Sequence, residues 1–426
     1  YEDYIDNIHE QAEYSLDSLE WMDSTYFKVK KLVKQADILS RKYCITTTNP
    51  PYMSKMDGNL KNFVVKNYKD YSSDLFAVFV KRNFDFTVEN GYLGFMTPFV
   101  WMFIKSYEKL REYIINNKFI STLVQMEYSA YEEATVPICS YVLKNNKSDE
   151  FGYYFRLSDF KGGMEVQKQK VLEAIDNKNC GYFYETSSEN FSKIPGSPIA
   201  YWASETTTDL FLNNKVDMYV DCKSGIMTGS DDFIKLWFEP YINKIKFDCK
   251  NATEMQDFKW FPLNSGGSFR KWYGNNSKVV NLYMDGKDIK SKVKNYRLRD
   301  KEYYFKKGIT WGRITSSDIA FRNVIDGSLF GDAGPIGFID KNRFYLLAFF
   351  NSCVVKYLLN ILNPTLNFQV HDITSLPVIF KFEDKINNYV VNNISISKSD
   401  WDSFETSWDF TVHPLVKNHV STISEA

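Results

Sequence analysis

The tetrapeptide Asn49-Pro50-Pro51-Tyr52 carries the most chemical information in the chain. An exocyclic amine on a nucleobase is a poor nucleophile because its lone pair is delocalised into the ring. Two acceptors aimed at its two N–H bonds localise that lone pair and orient it for attack. The Asn49 amide oxygen and the Pro50 main-chain carbonyl are suited to be those acceptors. Proline has a fixed φ and no N–H, so Pro50 and Pro51 in succession hold the carbonyls in set directions. Tyr52 offers a flat face on which a base swung out of a duplex can stack. The plain alternative is a proline turn with a capping Asn, and the strand that precedes the turn weighs against it.

That strand is the apolar and β-branched run Tyr43-Cys44-Ile45-Thr46-Thr47-Thr48, expected to be buried and to end at the turn. A helix over 27–41 precedes it, with Val29, Leu32, Val33 and Ala36 on one side. Leu75 to Phe84 has a helical pattern, Glu89-Asn90-Gly91 a turn, and Tyr92 to Met96 a strand ending at Pro98. Trp101 to Asn116 has helical spacing, and Ile120–Met126 and Ile138–Leu143 read as further strands. This alternation predicts a mostly parallel α/β sheet up to about residue 150, and ligands bind such sheets at the C-terminal ends of their strands.

Residues 151–200 read as a bridge with a strand, a Gly162-Gly163 break and a polar helix, closed by Pro195, Gly196 and Pro198. Residues 201–380 change character to short β-like runs, turns and aromatics. Residues 381–426 read as a small helical tail.

The NPPY corner resembles that of S-adenosylmethionine-dependent, amino-methylating DNA methyltransferases of the adenine-N6 group. Asp74-Leu75-Phe76 and Asn90-Gly91-Tyr92-Leu93-Gly94-Phe95-Met96-Thr97-Pro98 resemble the next blocks of that group, in the same order. Ala130-Tyr131-Glu132-Glu133 resembles the later block that offers an aromatic to the flipped base. Where such enzymes usually have Asp just before the strand, this chain has Cys44. Farther on, Ser224-Gly225-Ile226-Met227-Thr228-Gly229-Ser230-Asp231-Asp232-Phe233 resembles the segment that opens target-recognition regions. Phe269-Arg270-Lys271-Trp272-Tyr273-Gly274, Gly308-Ile309-Thr310-Trp311, Leu362-Asn363-Pro364-Thr365 and Trp401 to Trp408 complete a likeness to the PglX-like methyltransferases of BREX phage-defence systems.

The resemblance implies part of a Rossmann-like methyltransferase sheet, then a mixed, β-rich target-recognition domain and the helical tail. It implies catalytic roles for Asn49, Pro50, Pro51 and Tyr52, base stacking by Tyr52 and Tyr131, and a structural or cofactor-adjacent role for Asp74. Double-stranded DNA and other phage-defence proteins are the implied partners, and S-adenosylmethionine the implied cofactor. The Gly-rich cofactor turn should precede NPPY, yet nothing before Asn49 contains a Gly. Phe330-Gly331-Asp332-Ala333-Gly334-Pro335-Ile336-Gly337 is glycine-rich but lies in the β-rich half, where it reads as a turn. The first residue is Tyr1, so we expect a C-terminal portion of a longer protein, inactive by itself.

Residues 259–313 hold 14 basic and 4 acidic residues in a chain of net charge −1, a local footprint suited to phosphates. Arg270, Lys271, Lys292, Lys294, Arg297, Arg299, Lys306, Lys307 and Arg313 are the candidate DNA contacts within it. The interleaved aromatics read mostly as core.

Composition narrows the remaining classes. With 426 residues, 44% hydrophobic and 25% charged, the chain is expected to form two or three packed domains. Six Cys without a CxxC pair and four His fit no zinc ribbon, metal cluster or disulfide scaffold, and suit a reducing cytoplasm. The near-membrane-length run Phe344 to Leu362 is interrupted by Asn351, Ser352, Lys356 and Asn360, so it reads as buried helix. A DNA-recognition module without catalysis is the alternative function, and methylation of a glutamine amide is a weaker one.

Overall fold

The computed structural model describes Tyr4, Asn7 and residues 19–128, 136–315, 318–417 and 422–425. The chain divides into two compact units, Tyr1–Ser204 and Glu205–Ala426. The fold class is α/β, as expected.

The first unit is built on a six-stranded sheet: β1 (Tyr43–Thr48), β2 (Thr87–Pro98), β3 (Phe119–Gln125), β4 (Ile138–Lys144), β5 (Gly152–Arg156) and β6 (Phe183–Thr186). Its order is β1-β2-β4-β3-β5-β6. The helices are α1 (Leu19–Ser40), α2 (Gly58–Asn67), α3 (Leu75–Phe86), α4 (Glu108–Asn117) and α5 (Gly163–Asp176). The sheet is less parallel than the sequence suggests. β1 runs parallel to β2 and β3 to β5, while β4 is antiparallel to both β2 and β3, and β6 to β5. A parallel neighbour needs a crossover of a dozen residues or more, and the short link 145–151 between β4 and β5 is too short for one. Residues 151–200, expected as a bridge, instead supply β5 and β6 to this sheet.

β2 contains Glu89-Asn90-Gly91, expected as a turn. The segment is absorbed as a bulge, with Asn90 at φ 62° and the pairing jumping from Tyr43↔Thr87 to Ile45↔Tyr92. The Asn145 amide closes it by donating to the Thr87 carbonyl at 2.8 Å. The core gathers Phe76, Val80, Leu93, Phe95, Trp101, Ile114, Leu123 and Tyr141 between the sheet and its helices. β1, expected to be buried, is an edge strand with Cys44, Ile45 and Thr47 exposed, Ile45 by 65%. Among the described residues it pairs on one side only, with β2. Phe27, Leu32, Ile38 and Leu39 of α1 are also exposed.

The second unit carries two four-stranded sheets. One has the order β13-β9-β10-β8, from β8 (Ile234–Leu236), β9 (Trp260–Asn264), β10 (Lys278–Asn281) and β13 (Leu329–Phe330). The other is β12-β11-β14-β7, from β7 (Asp221–Lys223), β11 (Gly308–Trp311), β12 (Phe321–Val324) and β14 (Ile336–Phe338). Short strands joined by turns match the β-rich expectation. Helices α6 (Arg343–Phe350) and α7 (Cys353–Leu362) meet at a 68° bend and bury Leu346, Leu347, Phe350, Leu358 and Leu359. No single helix among the described residues is long and apolar enough to cross a membrane. The tail helix α8 (Glu383–Asp402) packs on α6, so it belongs to this unit.

Candidate active site and nucleic-acid surface

Topology places the NPPY corner at one edge of the first sheet. β1, β2, β3 and β5 all run in the same direction, so their C-terminal ends share that edge. Thr48, Phe95, Tyr141, Leu123 and Tyr154 form one transverse row across the strands. Beyond the row the chain leaves β1 as Asn49 to Tyr52, and β2 ends with Thr97-Pro98. Tyr131, which follows β3 in the sequence, lies outside the described residues.

The corner is open. Asn49, Pro51 and Tyr52 are exposed, Tyr52 by 40%, while Pro50 is buried. The Tyr52 hydroxyl lies 3.1 Å from Asn49 Oδ1 and 3.2 Å from the Met96 carbonyl, and donates towards them. A carboxamide oxygen has two lone pairs, so Asn49 Oδ1 keeps one for a substrate N–H. The Tyr52 ring meets Phe76 edge-on at 6.4 Å, and Phe76 rests on Tyr107 at 5.2 Å. Partial burial and the nearby Cys139 raise the Tyr52 pKa, so the phenol stays protonated and remains a donor. Burial pushes the Cys139 thiol up to about 12.

Asp74 fastens the loop to its helix. It is the N-cap of α3, and its Oδ1 accepts from Phe76 N at 3.3 Å and from Met53 N at 2.8 Å. Leu75 N donates back to the Met53 carbonyl at 3.1 Å. The structure therefore gives Asp74 a positioning task one residue beyond NPPY. Sequence reasoning missed Met96, whose contribution is a carbonyl that its side chain does not announce. It also missed Arg111, which is buried and donates to the carbonyls of Trp101, Ile104 and Gly196. That guanidinium fixes the turns after Pro98, and burial lowers its pKa to about 10.

No glycine-rich turn precedes Asn49 in the sequence. The glycine-rich stretch 330–337 is the turn from β13 to β14, as its sequence suggested. A Cβ on Gly334 would meet Gly266 N at 2.7 Å, so the turn packs against protein. Nor do the described residues group three or more His, Cys, Asp or Glu where a metal ion could sit.

In the second unit the nine basic candidates divide. Lys292, Lys294, Lys306 and Lys307 are exposed. Lys306 and Lys307 border a cavity of about 730 Å³ that also has Asp217, Asp221, Asp326 and Asp340 in its wall. The other five are engaged or half-buried. Arg270 pairs with Asp400 and lies over the Trp401 ring, and Lys271 donates to the Asn351 carbonyl at 2.9 Å. Arg297 and Arg313 bind opposite oxygens of Asp332. Arg299 is half-buried, and burial together with the Arg297 charge lowers its pKa.

A twisted α/β sheet with an NPPY corner, followed by a separate β-rich unit, defines a methyltransferase-fold protein of the restriction-modification class. The DNA-bound type IIL restriction-modification enzyme MmeI has this fold, with a TM-score of 0.55 at 12% identity over 86% of this chain and 50% of that one. A family model described as Eco57I restriction-modification methylase matches residues 1–131. The adenine-specific methyltransferase PglX of Lacticaseibacillus casei (strain Zhang) is 36% identical over 409 residues, covering 92% of this chain and 34% of that protein. The adenine-specific methyltransferase BrxX of Escherichia coli O9:H4 (strain HS) is 35% identical over 400 residues, covering 91% and 32%. The chain belongs to the family of PglX-like adenine-specific methyltransferases, and it spans about a third of the length of these relatives.

Proposed function

We propose that the chain is the base-handling and DNA-recognition portion of a site-specific adenine-N6 DNA methyltransferase that marks host DNA in phage defence. The observation that carries this is the open Asn49–Tyr52 corner, tied to β2 by the Tyr52 hydroxyl and to α3 by Asp74. An adenine everted from the duplex stacks against Tyr52 and directs its amine at Asn49 Oδ1 and the Pro50 carbonyl. These acceptors favour the amine as it becomes tetrahedral and positively charged, and so lower the barrier to methyl transfer. Tyr131, which lies between β3 and β4 in the sequence, is the second aromatic for the base.

The methyl donor of such enzymes is S-adenosylmethionine. The unpaired edge of β1 and the exposed apolar residues of α1 provide a surface on which the donor-binding half of a methyltransferase can pack. The second unit recognises the target, with Lys292 and Lys294 on phosphates.

The test is base-modification sequencing of cellular DNA with and without the intact gene. Methylated adenine at one recurrent sequence, lost with the gene, supports the proposal, and unchanged DNA refutes it. Recognition of DNA without catalysis is the second reading. S-adenosylmethionine titration separates the two readings, since binding by the full-length protein supports the enzyme and binding by neither the full-length protein nor this portion supports the recognition module.

A further inference from the structure

Arg297, Arg313 and Asp332 lie far apart in sequence, yet the backbone locks them together. Ile226 N donates to the Phe330 carbonyl at 2.8 Å, and Asp332 N to the Ile226 carbonyl at 2.9 Å. Met227 and Arg297 exchange backbone bonds of 2.9 and 2.8 Å, and Arg313 N donates to the Ala333 carbonyl at 3.0 Å. Gly225 makes the close approach possible, because a Cβ there would lie 2.2 Å from the Phe330 carbonyl oxygen. On this frame Asp332 Oδ1 accepts from Arg297 Nη2, and Asp332 Oδ2 from Arg313 Nη1. Arg297 Nη2 also lies 3.3 Å from the Gly225 carbonyl.

Each guanidinium is therefore held through one terminal nitrogen, and with the Nε of both buried without a partner among the described residues, the free donors are the N–H groups of Arg297 Nη1 and Arg313 Nη2. Among the described residues no hydrogen bond engages Arg297 Nη1 or Arg313 Nη2. The arginine side chains are 39% and 28% exposed and Asp332 21%, so the cluster is accessible. A carboxylate between two cations lowers their pull on phosphate, which exposed lysines serve better. What Asp332 adds is direction, since a guanidinium fixed at one edge presents its remaining N–H groups along a set line. Directed paired donors are what the N7 and O6 acceptors of guanine require in the major groove.

We infer that Asp332 is a positioning residue that presents Arg297 and Arg313 to base edges of the target duplex, guanine in particular. The inference rests on reading the second unit as the DNA-recognition element.

Selection from a random duplex library by the full-length protein tests it, comparing the parent with Asp332→Asn, Arg297→Lys and Arg313→Lys. The parent should enrich one sequence containing guanine. Asp332→Asn should relax one or two guanine positions by roughly tenfold, the discrimination one bidentate pair supplies, and leave the other positions and the salt slope unchanged. The two lysine variants, which keep the charge and lose the fork, should relax the same positions, and they decide the matter should Asp332→Asn fail to fold. The same enriched sequence in every folded variant would overturn the inference. So would an equal loss on all sequences with a shallower salt slope, which marks phosphate contacts. A parent that enriches no sequence would refute the DNA reading itself, and the inference with it.

Discussion

Tyr52 has two separable tasks under the proposed function: its ring would face the incoming base, while its hydroxyl braces Asn49 and Met96. Tyr52→Phe keeps the first and removes the second. Methyl transfer should fall about fivefold, the worth of one hydrogen bond of roughly 1 kcal/mol. Tyr52→Ala also removes the stacking surface and should cost roughly ten- to a hundredfold. Single-turnover kinetics on the full-length protein checks the order, and equal losses would contradict the division of labour. Asp74→Ala removes a helix cap and the anchor of Met53. It should lower unfolding stability by about 1–2 kcal/mol, read by denaturant titration, and should slow methyl transfer without abolishing it. The NPPY corner was legible as a turn after a strand because it is written in consecutive residues. The Met96 carbonyl was not, since a backbone atom leaves no mark on residue type.

Elements show where local pattern stops being informative. The β-branched run Tyr43–Thr48 forms a strand as its composition dictates, but its place at the sheet edge depends on what lies beside it in space. Val29 and Leu32 of α1 fit a helical stripe and are nonetheless exposed, because periodicity identifies an apolar face and not its cover. β4 was legible as a strand, while its antiparallel insertion follows from link lengths. Residues 151–200 looked like a bridge because Gly162, Gly163 and the prolines punctuate them, although β5 and β6 complete the first sheet. Arg111 was invisible in a helical pattern, yet it joins the turns after Pro98 to Gly196. Arg111→Lys loses the fork that spans three carbonyls and should reduce unfolding stability by roughly 2–3 kcal/mol. A midpoint unchanged in denaturant would show that the carbonyls find other partners.

At the scale of the molecule, charge is more locally balanced than a window of sequence suggests. Residues 259–313 are strongly basic, but Asp332 and Asp400, outside that window, engage Arg297, Arg313 and Arg270. Lys292 and Lys294 are exposed and are the proposed phosphate contacts. Replacing both with Ala should weaken duplex binding on every sequence and make the log–log salt dependence shallower by about 2. An unchanged slope would place the phosphate contacts elsewhere. The corner and the basic surface belong to separate compact units, and site-specific methylation requires both to act on one duplex. At the centre of the proposed reaction, Asn49 grips the amine of an everted adenine. Methyl transfer and duplex affinity measured together on full-length Asn49→Ala test this most directly. We predict transfer lost with affinity nearly intact, whereas transfer at the parent rate would contradict the claim.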